Sequence, residues 1–318
     1  MRSGRVDSDG SPVDPDSYDY RRAARDAIHF PKLMDRFWQN LCRAVGWNCQ
    51  YFAVLEPQRR LAPHLHAAIR GTVPRAVLRQ VAAATFHQVW WPPCDRPVYS
   101  SDHIPLWDDT RGGYTDPDSG ALLTTWDDAL DAIGPGDTPA HVVRFGVQVR
   151  ADGVTANSRT TNRMIGYLCK YLAKSLDACH TTTSDRQRTH VDQLADALRY
   201  EPCSPTCSNW LLFAVQPNNA RPGLSPGRCT GKAHRRETLG FGGRRVLVSR
   251  QWSGKSLADH RNDRKTWVRT LLTTLSIPVA TLYQWRHRRI GPPVYRVGRW
   301  LRYDPADIRQ WLSAQKAA

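Results

Sequence analysis

The sequence has no apolar run of about 18 residues, which excludes a helix that spans a bilayer. Its opening stretch, MRSGRVDSDGSPVDPDSYDY, has no apolar segment and does not read as a secretory signal. A cytoplasmic protein that engages no membrane is the expectation. Acidic residues are few: 29 Asp and Glu stand against 45 Lys and Arg, a formal net charge of +16 in 318 residues. Such an excess favours a polyanionic partner, either nucleic acid or an anionic surface. Eight cysteines are present, and in an unexported chain of this size they are not expected to form a disulfide framework. The length suits about two domains.

The chain divides by composition. Residues 1–16 are polar and read as a disordered tail. Tyr18 to Val45 carries a helical period, with Leu33, Phe37, Leu41 and Val45 four apart. Tyr51 to Gly71 reads as two strands joined by a short basic turn. Residues 74–89 read as a helix opened by Pro74. The Pro-, Gly- and Asp-rich stretch 92–139 reads as a surface excursion with a short helix near 126–133. Val142 to Arg150 is a candidate strand, and helices are expected over 162–176 and 190–199. A domain over 17–200, a cysteine-containing basic segment over 201–270 and a small module over 271–318 follow.

His64 and His66 stand two apart on the second strand, so their side chains share a face. Two imidazoles in this pattern can hold one divalent ion, and Glu56 can approach across the hairpin as a third ligand. The plainer reading is two unrelated histidines. On the helix 162–176, Tyr167, Lys170, Tyr171 and Lys174 share one face, opposite Ile165, Leu168, Leu172 and Leu176. A phenol beside cations and a metal can lose its proton and attack phosphorus. The plainer reading is a solvated face crossed by tyrosines. The two motifs together favour the chemistry.

Cys203 and Cys207 form one close pair, and Cys229 and His234 a second. Two pairs separated by a loop have the layout of a closed zinc site. Three buried thiols and a surface histidine are the alternative. From 227 to 265 there are eleven Lys and Arg against three Asp and Glu, a net of +8, which is half of the chain's charge. Arg235, Arg236, Arg244, Arg245, Arg250 and Lys255 are placed to meet phosphates, with Trp252 and Phe241 as aromatics that can stack on a base. VLVS, after Arg245, reads as a strand. A basic face that only aids solubility is the plainer reading.

These motifs support a resemblance. PHLHAAIRG resembles the His–hydrophobe–His motif of the HUH endonucleases, and GYLCKYLAK resembles the tyrosine motif of their rolling-circle replication initiators. WNCQYFAVLEPQRR, VVRFGVQV and the segment from Cys203 to Trp267 resemble the initiators of actinobacterial plasmids and integrative elements, over roughly residues 16–267. The resemblance implies an α+β fold with an HUH-like antiparallel sheet and packed helices. It implies a tyrosine that nicks one strand of single-stranded or locally melted origin DNA, with Mg or Mn at the His pair. A host helicase or polymerase is the implied protein partner. Longer relatives carry an F-x-T-L-T strand ahead of the point where this sequence begins, so a catalytic domain lacking that strand is expected.

Residues 277–312 resemble the winged helix-turn-helix of excisionase and MerR-type proteins. By that resemblance Thr281, Gln284, Trp285 and Arg286 lie on or beside a recognition helix, and Arg299 and Arg302 flank a wing formed by VYRV and WLRY. LLTT runs almost directly into LSIP, so the module's first helix is expected to be missing. Two functions therefore stand: a metal-dependent nicking initiator, or a catalytically impaired remnant that binds an origin or operator. A general RNA-binding scaffold leaves the coexistence of the His pair and the tyrosines unexplained.

Overall fold

The computed structural model describes residues 7, 11–100, 102–153, 184–242 and 246–249, with position 166 and scattered positions between 259 and 314. The chain has a mixed α+β fold in two compact units, one of Met1–Ala151 with Lys170–Leu247 and the other of Asp152–Cys169 with Val248–Ala318.

The first unit is organised by α1 (Tyr20–Val45), capped by Asp19, whose carboxylate accepts the Arg22 N–H, and closed by Gly46 in the left-handed region. One stripe of this helix, including Ala27, Phe30, Leu33, Met34, Phe37 and Leu41, is buried, as the four-residue period requires. The stripe packs on β1 (Gln50–Pro57) and β2 (Pro63–Arg70), which pair antiparallel with Leu55 opposite Leu65 and Glu56 opposite His64. Trp38 stacks flat on Tyr51 at 3.7 Å between ring centroids. A third strand, β9 (Val246–Val248), lies on the far side of β1, as VLVS suggests.

The helix expected over 74–89 is shorter. α2 covers Arg75–Ala84 and gives way to β3 (Phe86–Val89), which pairs with β7 (His141–Arg144). Thr85 turns the chain: its hydroxyl donates to the Val81 carbonyl at 2.7 Å, a local bond that competes with helix continuation. The strand expected through Arg150 likewise ends at Arg144. The helix expected over 190–199 is longer, α4 over Asp185–Tyr200, capped by Ser184. It packs on α1 through Leu194 and Leu198.

The stretch 92–139 is not a surface excursion. It holds β4 (Leu106–Asp108), β5 (Gly113–Thr115), β6 (Thr124–Thr125) and α3 (Trp126–Asp131). With residues 207–215 it encloses its own core: Cys94 and Trp126 pack with Cys207, Trp210 and Phe213, while Tyr99, Tyr114 and Leu123 pack with Leu211. β6 pairs in parallel with β8 (Val215–Gln216).

The two cores are tied by a buried ionic group. Arg25 and Arg21 on α1 both meet the Glu201 carboxylate just after α4, and Arg25 also donates to the Cys94 carbonyl at 2.9 Å and to Asp95 at 2.9 Å. Both Arg25 and Glu201 are buried. At the start of α4, part of the segment read as a tail to residue 16 is packed: Ser11 is fully buried, and Arg186 donates to the carbonyls of Pro12 and Val13. Of the second unit, the structure describes an antiparallel hairpin, β10 (Tyr295–Val297) with β11 (Trp300–Arg302), in which Tyr295 faces Arg302.

Candidate metal centres

Register alone places the first cluster. Glu56 sits directly opposite His64, and His66 lies one diagonal step along β2. Leu55 and Leu65 face the core under α1, so Glu56, His64 and His66 occupy the other face, beside the fully buried Val54. The imidazoles lie 4.6 Å apart at 79°, and His66 Nε2 is 2.6 Å from Glu56 Oε1. One ligand atom from each of the three lies within 4.8 Å of the others. Burial, with His66 alongside, lowers the His64 pKa and favours the neutral imidazole. Gln58 sits against His64 Nδ1 at 3.2 Å and is itself held by Arg60, so the ring is braced from outside the cluster. Two imidazoles and one carboxylate leave several positions open on a divalent ion, the donor set of a site that also takes substrate oxygens.

The second cluster is of another kind. Cys203, Cys207, Cys229 and His234 bring their ligand atoms within 4.8 Å of one another. Cys203 and Cys229 sulfurs are 4.0 Å apart, and Cys207 Sγ is 3.5 Å from His234 Nε2. A tetrahedral zinc with bonds of about 2.3 Å to sulfur and about 2.0 Å to nitrogen sets such pairs roughly 3.8 and 3.5 Å apart. His234 Nδ1 is 2.7 Å from the Leu198 carbonyl oxygen, an arrangement that turns Nε2 inward. Gly231 is required here, because a Cβ would meet Cys203 Sγ at 2.9 Å. Cys207 is fully buried and belongs to the second core.

The protonation pattern fits a metal-ligand set. Hydrogen bonds with Cys203 and Cys207 hold the Cys229 thiol far below its usual range, while those with Cys203 and Cys229, together with burial, push Cys207 up. Burial opposes charge on His234, but hydrogen bonds with Cys203 and Cys229 outweigh it and push its pKa up to about 10. A metal bound among these four donors would displace those protons. The six described cysteines are all free of disulfides.

Other expected site residues divide four ways. Arg235 and Arg236 are exposed beside this cluster, with Arg236 paired to Asp192. Phe241 is buried against Phe30 and cannot stack on a base. Tyr167, Lys170, Tyr171, Lys174, Arg244, Arg245, Arg250, Trp252, Lys255, Thr281, Gln284, Trp285, Arg286 and Arg299 lie outside the described residues, and Arg302 is placed by its backbone in β11. Sequence reasoning missed Gln58 and the Arg25–Glu201 tie, whose partners carry no motif. Among the described residues, no helix is long and apolar enough to cross a membrane.

The fold and its clusters define a mixed α+β protein with residues able to hold metal in two places. A family model described as RepSA, replication initiator protein, pSAM2, matches residues 2–302, and the chain belongs to that family of replication initiators. The match runs past 267 and through β10 and β11, so the C-terminal hairpin falls within the family pattern. No curated protein and no solved structure matches the chain.

Proposed function

We propose that the chain initiates replication of a plasmid or mobile element by nicking and rejoining one strand of origin DNA. The observation that carries this reading is the convergence of Glu56, His64 and His66 on one face of a hairpin in a replication initiator. Mg or Mn is the proposed cation, as the resemblance to HUH initiators implies, and when bound it would supply Lewis-acid polarisation of a scissile phosphate. Glu56 contributes charge, the two imidazoles leave ligand positions free, and Gln58 fixes the His64 ring. Tyr167 or Tyr171 is the proposed nucleophile, with Tyr171 preferred because Lys170 and Lys174 flank it in sequence and would steady its phenolate. Cys203, Cys207, Cys229 and His234 would hold structural zinc. The finer architecture, an HUH-like sheet with a winged helix-turn-helix over 271–318, belongs to the same reading. So does the division at 200 and 270.

The test is incubation with single-stranded origin DNA and Mg²⁺ or Mn²⁺, scored for a covalent protein–DNA adduct. The adduct is expected with the native chain, lost in the double variant His64→Ala, His66→Ala, and located by mass spectrometry to the peptide holding Tyr167 or Tyr171. Sequence-specific binding without an adduct under either metal would replace this reading with that of an origin-binding remnant.

A further inference from the structure

A cleft of about 530 Å³ opens beside the Cys and His cluster, between the turn at 203–208 and the loop at 218–231. Its cations are Arg221 and Arg228, both exposed, and none of its lining side chains is acidic. Thr206 and Thr230 add hydroxyls and Asn218 an amide. Guanidinium forks, hydroxyls and amides are the groups that meet the phosphates and sugars of nucleic acid. The volume is that of a small-ligand pocket, large enough for one nucleotide and too small for a duplex.

The walls are held before any ligand arrives. The buried Tyr114 hydroxyl accepts the Leu224 N–H at 2.7 Å and lies 2.9 Å from the Arg221 carbonyl oxygen. Asn209 Oδ1 accepts the Gly227 N–H at 2.7 Å, and Trp210 Nε1 donates to the Ser204 carbonyl at 2.8 Å. A cleft braced in this way loses little order on binding.

We propose that this cleft takes one unpaired nucleotide of a single DNA strand, with Arg221 and Arg228 on its phosphates and the Thr206 and Thr230 hydroxyls and the Asn218 amide as polar contacts. A free nucleotide shares that chemistry. The lining has no aromatic side chain to clamp a lone base, so binding must draw on the flanking phosphates of a strand. The inference uses the family's tie to DNA but not strand cleavage, so an inactive nicking site leaves it standing.

The test is binding by the full zinc-loaded chain, read by fluorescence anisotropy with a labelled single-stranded oligodeoxynucleotide across a salt series. The double variant Arg221→Ala, Arg228→Ala is expected to weaken binding on the order of tenfold and to lower the slope of log affinity against log salt by about 1.4, the single-strand value for two phosphates. The control Arg75→Ala, Arg79→Ala removes two exposed arginines of α2 and should change both far less. Thr206→Trp fills the cleft without changing charge and should also weaken binding, with zinc content and circular dichroism unchanged. Native affinity in Thr206→Trp, or equal losses in the two arginine pairs, would overturn the proposal. So would deoxynucleoside monophosphate binding the cleft more tightly than the oligonucleotide, since that would make it a site for free nucleotides.

Discussion

Glu56, His64 and His66 meet because an antiparallel register puts them there, whereas Cys203, Cys207, Cys229 and His234 meet because irregular loops are drawn around one point. The hairpin exists without its cluster: β1 and β2 are held by backbone pairing and by Leu55 and Leu65 under α1. The loops have little regular structure of their own, and Cys207 is part of the core they enclose. An ion at the hairpin can come and go with substrate. An ion at the cysteines, on the proposed reading, would be part of the fold.

The largest effect should therefore follow Cys207→Ala. Loss of one sulfur from a structural zinc site is expected to cost several kcal/mol and to unfold the second core, seen as a lowered Tm with loss of bound zinc. Glu201→Ala comes next, at about 3–5 kcal/mol by chemical denaturation, because it leaves Arg25 of α1 buried without its main counter-charge. If that loss falls on both cores together, the tie between them is real. If only one melts, they are independent.

Acid should act where α1 meets β3 and β7. Burial, with His141, His87 and Arg25 alongside, lowers the His29 pKa to about 3. The unfolded histidine titrates near 6.5, so the folded state binds fewer protons between these values. The stability that His29 contributes is full above about pH 6.5 and is lost as pH falls toward 3. Denaturation midpoints measured from pH 7 to 4 should fall, and His29→Leu should flatten that slope. The smallest effect is expected from His64→Ala with His66→Ala: about 1–2 kcal/mol in stability, since the strand pairs without these side chains but the largely buried Glu56 loses His66 as a partner.

The difference between the clusters also decided what was legible in the sequence. H-x-H on a strand and a carboxylate across a short turn are local features, and a period of two carries them straight into space. The paired spacing of the cysteines was legible for the same reason. The second core was not. Cys94, Tyr99, Tyr114, Leu123 and Trp126 follow neither a helical nor a strand period, and they are scattered among prolines, glycines and aspartates that read as loop. The Arg25–Glu201 contact joins residues 176 positions apart, and no pattern in one sequence reveals such a pair. Phe241, set in a basic run, looked like a base-stacking aromatic, but it fills the space against Phe30 under α1. Charge around a residue tells where the chain is exposed on average, not where one ring goes.

The most direct test of two metal sites of different kinds is metal content followed on one preparation. After dialysis against a mild chelator, about one zinc per chain should remain, and Mn²⁺ added back should bind weakly at a second site, read by electron paramagnetic resonance. The double variant His64→Ala, His66→Ala should lose the Mn²⁺ signal and keep its zinc, while Cys207→Ala should lose the zinc. Zinc lost from the histidine variant, or Mn²⁺ binding unchanged in it, would contradict the account.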